Sequence, residues 1–424
     1  MLDINYIRDN KDQVKQATTD KQLDPTVVDQ LLEADKQRRV LIQQVEEIRQ
    51  QVNQNADKIK LQVQEGGKPE STDVEQGKKL KILLKESEPE LKKVEELFES
   101  LMLQVPNIPA ADVPIGADES GNEVTRQVGD KTKFDFEPKP HQELMLALDL
   151  LDTQRAVKIG GFRSYFLKNE AVLLEQAILQ YSLEVMVKHG FTPMTVPVMV
   201  KKEALIGTGY FPWGEEDHYT TQDDTHLAGT AEVALTAYRQ GETLTEKDLP
   251  IKMVGISPCF RREVGSHGKD TQGIVRVHQF NKVEQVVYTV ADEKETRKWH
   301  DKITQFSEKI LQDLGLPYQV LTMCTGDMGA GQRKKYDIET WFPSQKKYRE
   351  THSSSYFLDF QARRLNIRYQ DKNGELKHVY TMNNTVSATP RLLAAIIENY
   401  QQEDGSIKVP KILQKYLGKE SISR

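Results

Sequence analysis

Apolar side chains recur at alternating steps of four and three residues along the first quarter of the chain. A turn-forming segment, EGGKPEST at 65–72, divides this pattern into two series. The first series is Val27, Leu31, Ala34, Arg38, Leu41, Val45, Ile48, Val52 and Ile59, and the second is Leu80, Leu84, Ser87, Leu91, Val94, Phe98 and Leu101. Such spacing keeps one stripe of a helix against a partner helix. It predicts an antiparallel helical hairpin, with Pro89 kinking or locally opening the second helix. A homodimeric coiled coil or two helices of an ordinary bundle are the alternatives.

A proline-rich segment beginning at Val105 marks a predicted domain boundary, which gives one domain over 1–104 and a second over 105–424. In the second domain, periodicity predicts a helix from Glu170 to His189 and a last helix over 390–402. Strand-like runs lie between them, with short turns that favour an antiparallel sheet. These runs are 191–200, 251–262, 274–290, 318–323, 335–342, 355–370 and 377–383. The predicted fold class is α+β.

Composition narrows the functional classes. The 424 residues carry 58 basic and 64 acidic side chains, a formal charge of -6, so bulk charge does not hold the chain on nucleic acid. The predicted hairpin, 26–104, has 13 basic and 16 acidic residues, and its densest basic cluster is Lys78, Lys79, Lys81 and Lys85. No apolar run is long enough to span a membrane, and the polar start does not resemble a signal peptide. Two cysteines exclude a disulfide framework and suit a reducing compartment, so we expect a cytoplasmic protein.

The most distinctive chemistry lies in two predicted strands around a polar loop. The first strand ends in FRRE (260–263), and the second carries RVHQFNKVE (276–284). Alternation places Arg261 and Glu263 on one face of the first strand, and Arg276, Phe280 and Glu284 on one face of the second. Arginine suits phosphate and carboxylate groups, and a phenylalanine ring can stack on a flat ring.

These strands resemble motif 2 of class II aminoacyl-tRNA synthetases, in the version found in seryl-tRNA synthetases. Further segments, in family order, resemble motif 1 (188–197), the Thr-x-Glu loop (229–232), the central catalytic segments (325–327, 336–341, 348–355 and 359–364) and motif 3 (383–391). The resemblance covers essentially the whole chain. It implies a class II catalytic domain, with an antiparallel sheet flanked by helices, and a coiled-coil arm ahead of it.

What the resemblance implies is serine–tRNA ligase activity in two steps. Serine would react with ATP to give seryl-adenylate and pyrophosphate, and the seryl group would pass to the terminal ribose of tRNA(Ser), with tRNA(Sec) as a further possible acceptor. The implied catalytic residues are Arg261, Glu350 and Arg391. The implied ATP-binding residues are Arg261, Arg262, Glu263, Arg276, Val277, Phe280, Glu350, Thr351, His352, Ser353 and Arg391.

The resemblance also implies the serine site and the metal. Serine would be bound by Thr230, Ala231, Glu232, Arg261, Glu284 and Thr385. Glu350 and Ser353 would hold Mg2+ between the phosphates of ATP, since a hard cation prefers oxygen ligands. No zinc is expected, because the Thr-x-Glu and Asn-x-Thr segments are those of the zinc-independent members.

Two positions depart from the usual bacterial pattern. Asn383-Asn-Thr-Val386 replaces Asn-Gly-Ser-Gly and is similar to archaeal and eukaryotic members, and Thr385 keeps the hydroxyl that serine would supply. His352 stands where bacterial relatives have serine, which leaves its role open.

The resemblance further implies a homodimer built through motif 1 and an arm that grips the long variable arm of tRNA(Ser). The motif 2 loop, with His267 and Lys269, would meet the acceptor end of the tRNA. Two other functions remain: a paralogue that activates an amino acid for another carrier, and a non-catalytic tRNA-binding protein. The first is disfavoured by retention of the arm and the second by the presence of Arg261, Glu350 and Arg391.

Overall fold

The structure, a computed structural model, describes residues 1–264 and 273–424. The chain forms two compact units. A helical unit contains Leu2–Thr19 and Leu23–Pro106, and a sheet unit contains Met1, Asp20–Gln22 and Asn107–Arg424. In the part of the chain that the structure describes, no helix is both long and apolar enough to cross a membrane.

Two long antiparallel helices dominate the helical unit. Its helices are α1 (Ile4–Asp9), α2 (Lys11–Asp20), α3 (Thr26–Gln64) and α4 (Ser71–Gln104). Arg49 pairs with Glu88 at 2.8 Å, and the Asn55 amide donates to the Asp73 carbonyl at 3.0 Å, so α3 and α4 run in opposite directions. Every member of the two apolar series is buried or partly buried. The predicted hairpin is therefore confirmed, and α4 remains one helix across Pro89.

The sheet unit surrounds one large antiparallel sheet with helices. Its helices are α5 (His141–Ala147), α6 (Thr153–Gly160), α7 (Glu170–Lys188), α8 (Lys202–Thr208), α9 (Glu232–Ala237), α10 (Glu293–Asp313), α11 (Phe360–Leu365), α12 (Thr389–Asn399) and α13 (Lys411–Leu417). The strands outside the central sheet are β2 (Leu151–Asp152), β3 (Phe166–Leu167), β5 (Met199–Val200), β6 (Tyr219–Thr220), β7 (His226–Leu227), β8 (Thr243–Thr245), β14 (Arg368–Gln370), β15 (Leu376–His378), β17 (Ile407–Lys408) and β18 (Ser421–Ile422).

The central sheet has eight described strands. They are β1 (Glu123–Val128), β4 (Thr192–Thr195), β9 (Ile251–Phe260), β10 (Gln279–Thr289), β11 (Tyr318–Thr322), β12 (Lys334–Phe342), β13 (Lys347–Leu358) and β16 (Tyr380–Ala388). Their spatial order is β1-β11-β12-β13-β16-β10-β9-β4, and each pairing is antiparallel except that of β4 with β9. Helices α7, α10 and α12 contribute many of the apolar side chains of the core beneath this sheet. The α+β fold class with an antiparallel sheet is confirmed.

Several predicted strand bounds were wrong. The run 355–370 is not one strand, because β13 ends at Leu358 and α11 follows it before β14 begins. Strand β9 ends at Phe260, so Arg261 and Glu263 lie just beyond it, and Glu263 has a left-handed φ of 56°. Strand β10 begins at Gln279, so Arg276 does not share a strand face with Phe280 and Glu284.

Candidate active site

A pocket opens beside the middle strands of the central sheet. Strands β10, β13 and β16 and helix α12 supply most of its wall. The sequence-predicted residues that line it are Glu232, Arg261, Glu263, Val277, Phe280, Glu284, Glu350, Thr351, His352, Ser353, Thr385 and Arg391. Residues predicted for serine and residues predicted for ATP thus surround one cavity.

Two β-bulges occur where strands carry pocket residues. One interrupts the pairing of β10 with β16 between Val283 and Glu284, and it places Glu284 opposite Thr385. The other interrupts the pairing of β12 with β13 between Ile338 and Glu339 and leaves Thr351 as the extra residue between Glu350 and His352. Bulges locally re-aim side chains, which fits the convergence of Glu284 and Glu350 on the same cavity.

One wall of the pocket is formed around Arg391 at the start of α12. Its guanidinium donates to the carbonyl and to the carboxylate of Glu350, both at 2.9 Å, and to the Val275 carbonyl at 3.0 Å. Burial acts to raise the pKa of Glu350, but Arg391, Lys335 and Arg261 outweigh it and lower that pKa to about 2. Glu350 is therefore an ionised carboxylate at any physiological pH.

Arg261 lies against the ring of Phe280. Its guanidinium carbon is 5.4 Å from the ring centroid, within cation–π range, and its Nε donates to the Gly229 carbonyl at 3.3 Å. A Cβ at position 229 would lie 3.3 Å from Arg261 Cγ, so the glycine permits the close approach of the two chain segments. Arg261 is held in place while its remaining donors face the pocket that it lines.

Glu232, at the start of α9, is a buried carboxylate fixed from two sides. The Tyr210 hydroxyl donates to one of its oxygens at 2.8 Å, and the Gln361 amide donates to the other at 3.1 Å. Thr381 donates in turn to the Gln361 carbonyl oxygen at 2.6 Å, which orients that amide. Burial and the nearby Glu284 carboxylate raise the pKa of Glu232 to about 7.

Glu284 belongs to a second buried network. Lys282 Nζ lies 2.5 Å from Glu284 Oε2 and donates to Thr230 Oγ1 at 2.7 Å. The Thr385 hydroxyl donates to the same oxygen of Glu284 at 3.2 Å. Lys282 is 5% exposed and Glu284 is 2% exposed, so this ion pair is shielded from bulk water.

Four predicted site residues do not line the pocket. The Thr230 hydroxyl accepts a hydrogen bond from Lys282. Ala231 packs against Gly255, and a Cβ added at position 255 would lie 3.1 Å from the Cβ of Ala231. Arg262 donates to the Glu216 carbonyl at 2.8 Å, and Arg276 pairs with Glu263 at 3.1 Å.

His352 lines the pocket as a buried, neutral side chain. It is 1% exposed, its Nδ1 lies 2.8 Å from Thr351 Oγ1, and burial lowers its pKa to about 4. The arrangement indicates a packed imidazole rather than a cation for phosphate.

Sequence reasoning missed several pocket residues, namely Tyr210, Val275, Lys282, Gln332, Asn383, Ala388 and Pro390. Lys282 had a signal, because it stands at the alternating position between Phe280 and Glu284 on one strand. Tyr210 and Gln332 come from loops far away in sequence, and nothing in their local sequence indicates the pocket.

The predicted contacts of His267 and Lys269 lie outside the described residues, which omit 265–272. Within the described residues, no cluster of three or more histidine, cysteine or acidic side chains has the arrangement of a metal site. Oxygen ligands for a cation are nevertheless present in the pocket, on Glu350 and Ser353.

Two protein-family models match the chain. Residues 1–109 match the seryl-tRNA synthetase N-terminal domain, and residues 216–400 match the tRNA synthetase class II core domain (G, H, P, S and T). Among curated relatives, the serine–tRNA ligase of Deinococcus radiodurans is 43% identical over 99% of this chain and 98% of its own length.

Solved structures give the same result over the full length. The seryl-tRNA synthetase of Pyrococcus horikoshii, complexed with ATP, superposes with a TM-score of 0.92 at 38% identity and covers 100% of this chain and 99% of its own. The cytoplasmic serine–tRNA ligase of Naegleria fowleri, in complex with AMP, superposes with a TM-score of 0.87 at 32% identity, with the same coverage.

Proposed function

The chain belongs to the seryl-tRNA synthetase family, and from that premise we propose how its own residues activate L-serine with ATP and transfer it to tRNA(Ser). The observation that carries the proposal is the convergence of Arg261, Glu350 and Arg391 with the Glu232 and Glu284 networks on one pocket. Cations and acids of this kind suit a phosphate-bearing nucleotide on one side and a small zwitterion on the other.

In the activation step, a carboxylate oxygen of serine attacks the α-phosphorus of ATP, and the bond to the bridging oxygen of pyrophosphate breaks. Such a displacement depends on in-line positioning and on stabilisation of negative charge. We assign this work to Arg261, which would contact the serine carboxylate and the α-phosphate together. Its anchoring by Gly229 and Phe280 limits the reorganisation needed when charge develops.

We propose that the adenine lies between Phe280 and Arg391, by ring stacking and guanidinium stacking. Arg276 would reach the terminal phosphates once it exchanges Glu263 for them, and Arg262 and Glu263 would border the nucleotide. Val277, Thr351 and His352 complete the set of residues proposed around ATP.

The pocket fits a magnesium ion bound together with ATP. Glu350 remains ionised and Ser353 adds a hydroxyl, and both are the hard oxygen donors that Mg2+ prefers. When bound, the ion would neutralise phosphate charge. Arg391, which donates to Glu350 at 2.9 Å, orients this carboxylate. We expect no zinc in this enzyme.

For serine, we propose that the 230–232 segment receives the ammonium group, with Glu232 as the carboxylate partner, and that Glu284 and Thr385 receive the side-chain hydroxyl. Arg261 holds the substrate carboxylate. Because the site pairs its buried polar groups with a hydroxyl, alanine would leave those groups unpaired and is rejected without editing. Threonine is excluded by size.

The helical hairpin is proposed to bind the tRNA. We assign 1–104 as the tRNA-binding arm and 105–424 as the catalytic domain, with tRNA(Ser) as the acceptor and tRNA(Sec) as a candidate second one. Proteins recognise folded RNA largely by shape and backbone, so contacts from local basic residues suffice despite the weak net charge of the arm.

We propose that the chain acts as a homodimer in the cytoplasm. Helix α7 buries Leu174, Ile178 and Tyr181 in the core, while Val172 and Leu173 on its other side are 38% and 51% exposed. A helix that is apolar on both sides indicates a second packing partner.

The first test is serine-dependent exchange of labelled pyrophosphate into ATP, with and without Arg261→Ala, with threonine and alanine assayed alongside as alternative substrates. Exchange with serine alone, and its loss in the variant, is the expected result. Absence of exchange from the folded protein supplied with Mg2+ would overturn the proposed activation chemistry and favour a tRNA-binding protein.

A further inference from the structure

A buried lysine, Lys282, belongs to the motif 2 segment and lies in the proposed serine site, although the proposed mechanism gives it no role. It lines the pocket on β10 between Phe280 and Glu284. Its ammonium group contacts Glu284 at 2.5 Å and Thr230 at 2.7 Å, and the side chain is 6% exposed. A lysine this deeply buried is costly to charge unless its donors are paired, so its position calls for a functional explanation.

We propose that Lys282 is a specificity-determining residue that donates a hydrogen bond to the side-chain oxygen of serine. This inference rests on the serine site proposed above. An ammonium group has three N–H donors, and two of them serve Thr230 and Glu284. Among the described residues, the hydrogen bond and the ion pair of this ammonium group go to Thr230 and Glu284, and the side chain lines the pocket, so its third donor is available to a ligand there.

The hydroxyl of serine matches this arrangement because it is both a donor and an acceptor. It donates its proton to Glu284 and accepts from Lys282, so that both halves of the ion pair recognise one substrate atom. Alanine would leave the carboxylate and the ammonium each without a partner, and a buried unpaired charged group is heavily penalised.

Accounting for the hydrogen bonds of Thr230 supports the same assignment. Its hydroxyl oxygen accepts from Lys282 at 2.7 Å and from the backbone N–H of Glu232 at 3.1 Å. A hydroxyl has two acceptor positions, and both are therefore used. The Thr230 hydroxyl cannot also accept from the ammonium group of serine. Within the 230–232 segment proposed above, Glu232 therefore receives that group, and the Thr230 side chain positions Lys282.

Charge balance in the pocket points the same way. Around the serine subsite the carboxylates of Glu232 and Glu284 are matched by the cations of Arg261 and Lys282. A balanced site suits a zwitterion with a neutral side chain. Without Lys282, the site would carry excess negative charge and would favour an amino acid with a cationic side chain.

The test compares Lys282→Met with Lys334→Met in pyrophosphate exchange with serine and alanine. Lys334 is a matched control, because it is also a buried strand lysine, 8% exposed, paired with a carboxylate (Asp112, 2.8 Å), and it lies outside the pocket. We expect Lys282→Met to lower kcat/KM for serine and the preference for serine over alanine by about 10- to 100-fold, the loss of a charged hydrogen bond. The KM of Lys282→Met for ATP should stay within about twofold of that of the unmodified chain. For Lys334→Met, both kcat/KM for serine and the preference for serine over alanine should stay within about twofold.

A second measurement needs no variant. The unmodified chain is assayed with L-2,3-diaminopropionate, whose side-chain ammonium donates but cannot accept. If Glu284 alone faced the side chain, this substrate would compete with serine, whereas Lys282 repels it. We expect at least about 10-fold weaker exchange than with serine.

The outcomes separate the two proposals. No serine-dependent exchange in the unmodified chain overturns the proposed function. The role of Lys282 is overturned if the unmodified chain shows normal exchange and Lys282→Met keeps an unchanged preference for serine over alanine. If that variant does not fold, the role is overturned when the unmodified chain uses diaminopropionate as efficiently as serine.

Discussion

At the scale of single residues, the side-chain carboxylate of Glu232 combines two opposing properties. It is held by donors from Tyr210 and Gln361, which favour the ionised form, yet burial and Glu284 raise its pKa to about 7. Burial is the larger influence. The carboxylate therefore titrates in the range where the enzyme works, and its charge is stabilised further when an ammonium group binds beside it.

This predicts a pH dependence confined to serine. In the proposed serine site Glu232 must be ionised to pair with the substrate ammonium, and it becomes protonated as the pH falls through about 7. The KM for serine should therefore rise below that pH, approaching about tenfold per pH unit, and level off above it. Steady-state pyrophosphate exchange from about pH 5.5 to 8.5 measures it.

The control is Glu232→Gln, which removes the titrating group. This variant should have a higher KM for serine, and that KM should not change with pH. The KM for ATP should not follow the same curve, because Glu350 stays ionised throughout this range. A KM for serine that is flat across pH 7 in the unmodified chain contradicts the assignment.

At the scale of elements, the way that Gly273 meets α5 fixes one edge of the pocket. His141 at the start of α5 lies 2.8 Å from the buried Glu398 carboxylate, and its Nε2 accepts from the Ile274 N–H at 3.3 Å. The next residue, Val275, lines the pocket and accepts from Arg391. The position of the residue that is proposed to stack on adenine thus depends on a histidine more than a hundred residues away in sequence.

We predict that Gly273→Ala weakens ATP binding. Gly273 has a φ of +73°, and a Cβ there would lie 2.0 Å from His141 Nε2, so the histidine or the Ile274 backbone must move. The KM for ATP should rise about tenfold, equivalent to about 1.4 kcal/mol, with little change in the KM for serine.

Gly405→Ala is the matched control. Gly405 has a similar φ of +84° but nothing within 4 Å of the added Cβ, so it carries the backbone strain without the clash. It should reduce the thermal stability by a comparable amount and leave both KM values unchanged. Equal effects of the two substitutions on ATP binding would show that strain alone, and not displacement of His141, is responsible.

How much the sequence predicts depends on whether the determining interactions are local. The hairpin was predictable because its seam repeats along α3 and α4, and strands β9 and β11 were found because their apolar runs end near turns. Helix α10 was missed although Asp292 caps it by accepting from the Glu295 N–H, and Ile303, Phe306 and Ile310 follow a helical period. Its high content of charged residues obscured that stripe.

The pocket was predictable only through the resemblance to known motifs. Motif residues on β10, β13 and α12 converge as expected, since each belongs to a recognised segment. The partners that orient these residues lie outside the recognised segments or could not be identified from them. Tyr210, Gln361 and His141 reach the site through tertiary contacts. The two bulges are likewise undetectable from alternation, and the strand faces assigned to Arg276 and Glu263 were wrong because β9 and β10 stop short of these residues.

At the scale of the whole molecule, the exposed apolar side of α7 should decide the oligomeric state. We predict that Leu173→Glu, at a side chain 51% exposed, converts the proposed homodimer to a monomer, because a charge would be buried unpaired at the proposed interface. Light scattering after size-exclusion chromatography measures the mass. Leu376→Glu, at a leucine 57% exposed on β15, is the control and should remain dimeric. A dimeric Leu173→Glu would exclude this side of α7 from the interface.

Two activities of one molecule can be separated by charge. Lys78, Lys79, Lys81 and Lys85 are exposed on α4, and we predict that changing all four to glutamine lowers tRNA(Ser) charging while pyrophosphate exchange with serine is unchanged. Each lost phosphate contact should reduce the dependence of tRNA binding on salt by about one unit of slope. Filter binding at several salt concentrations measures that slope.

The control changes four exposed lysines of the sheet unit, Lys247, Lys294, Lys298 and Lys372, and should leave the slope and the charging rate intact. Equal losses in both variants would mean that net charge, and not the hairpin, attracts the tRNA. Unchanged charging in the first variant would exclude this lysine cluster from the proposed tRNA contacts.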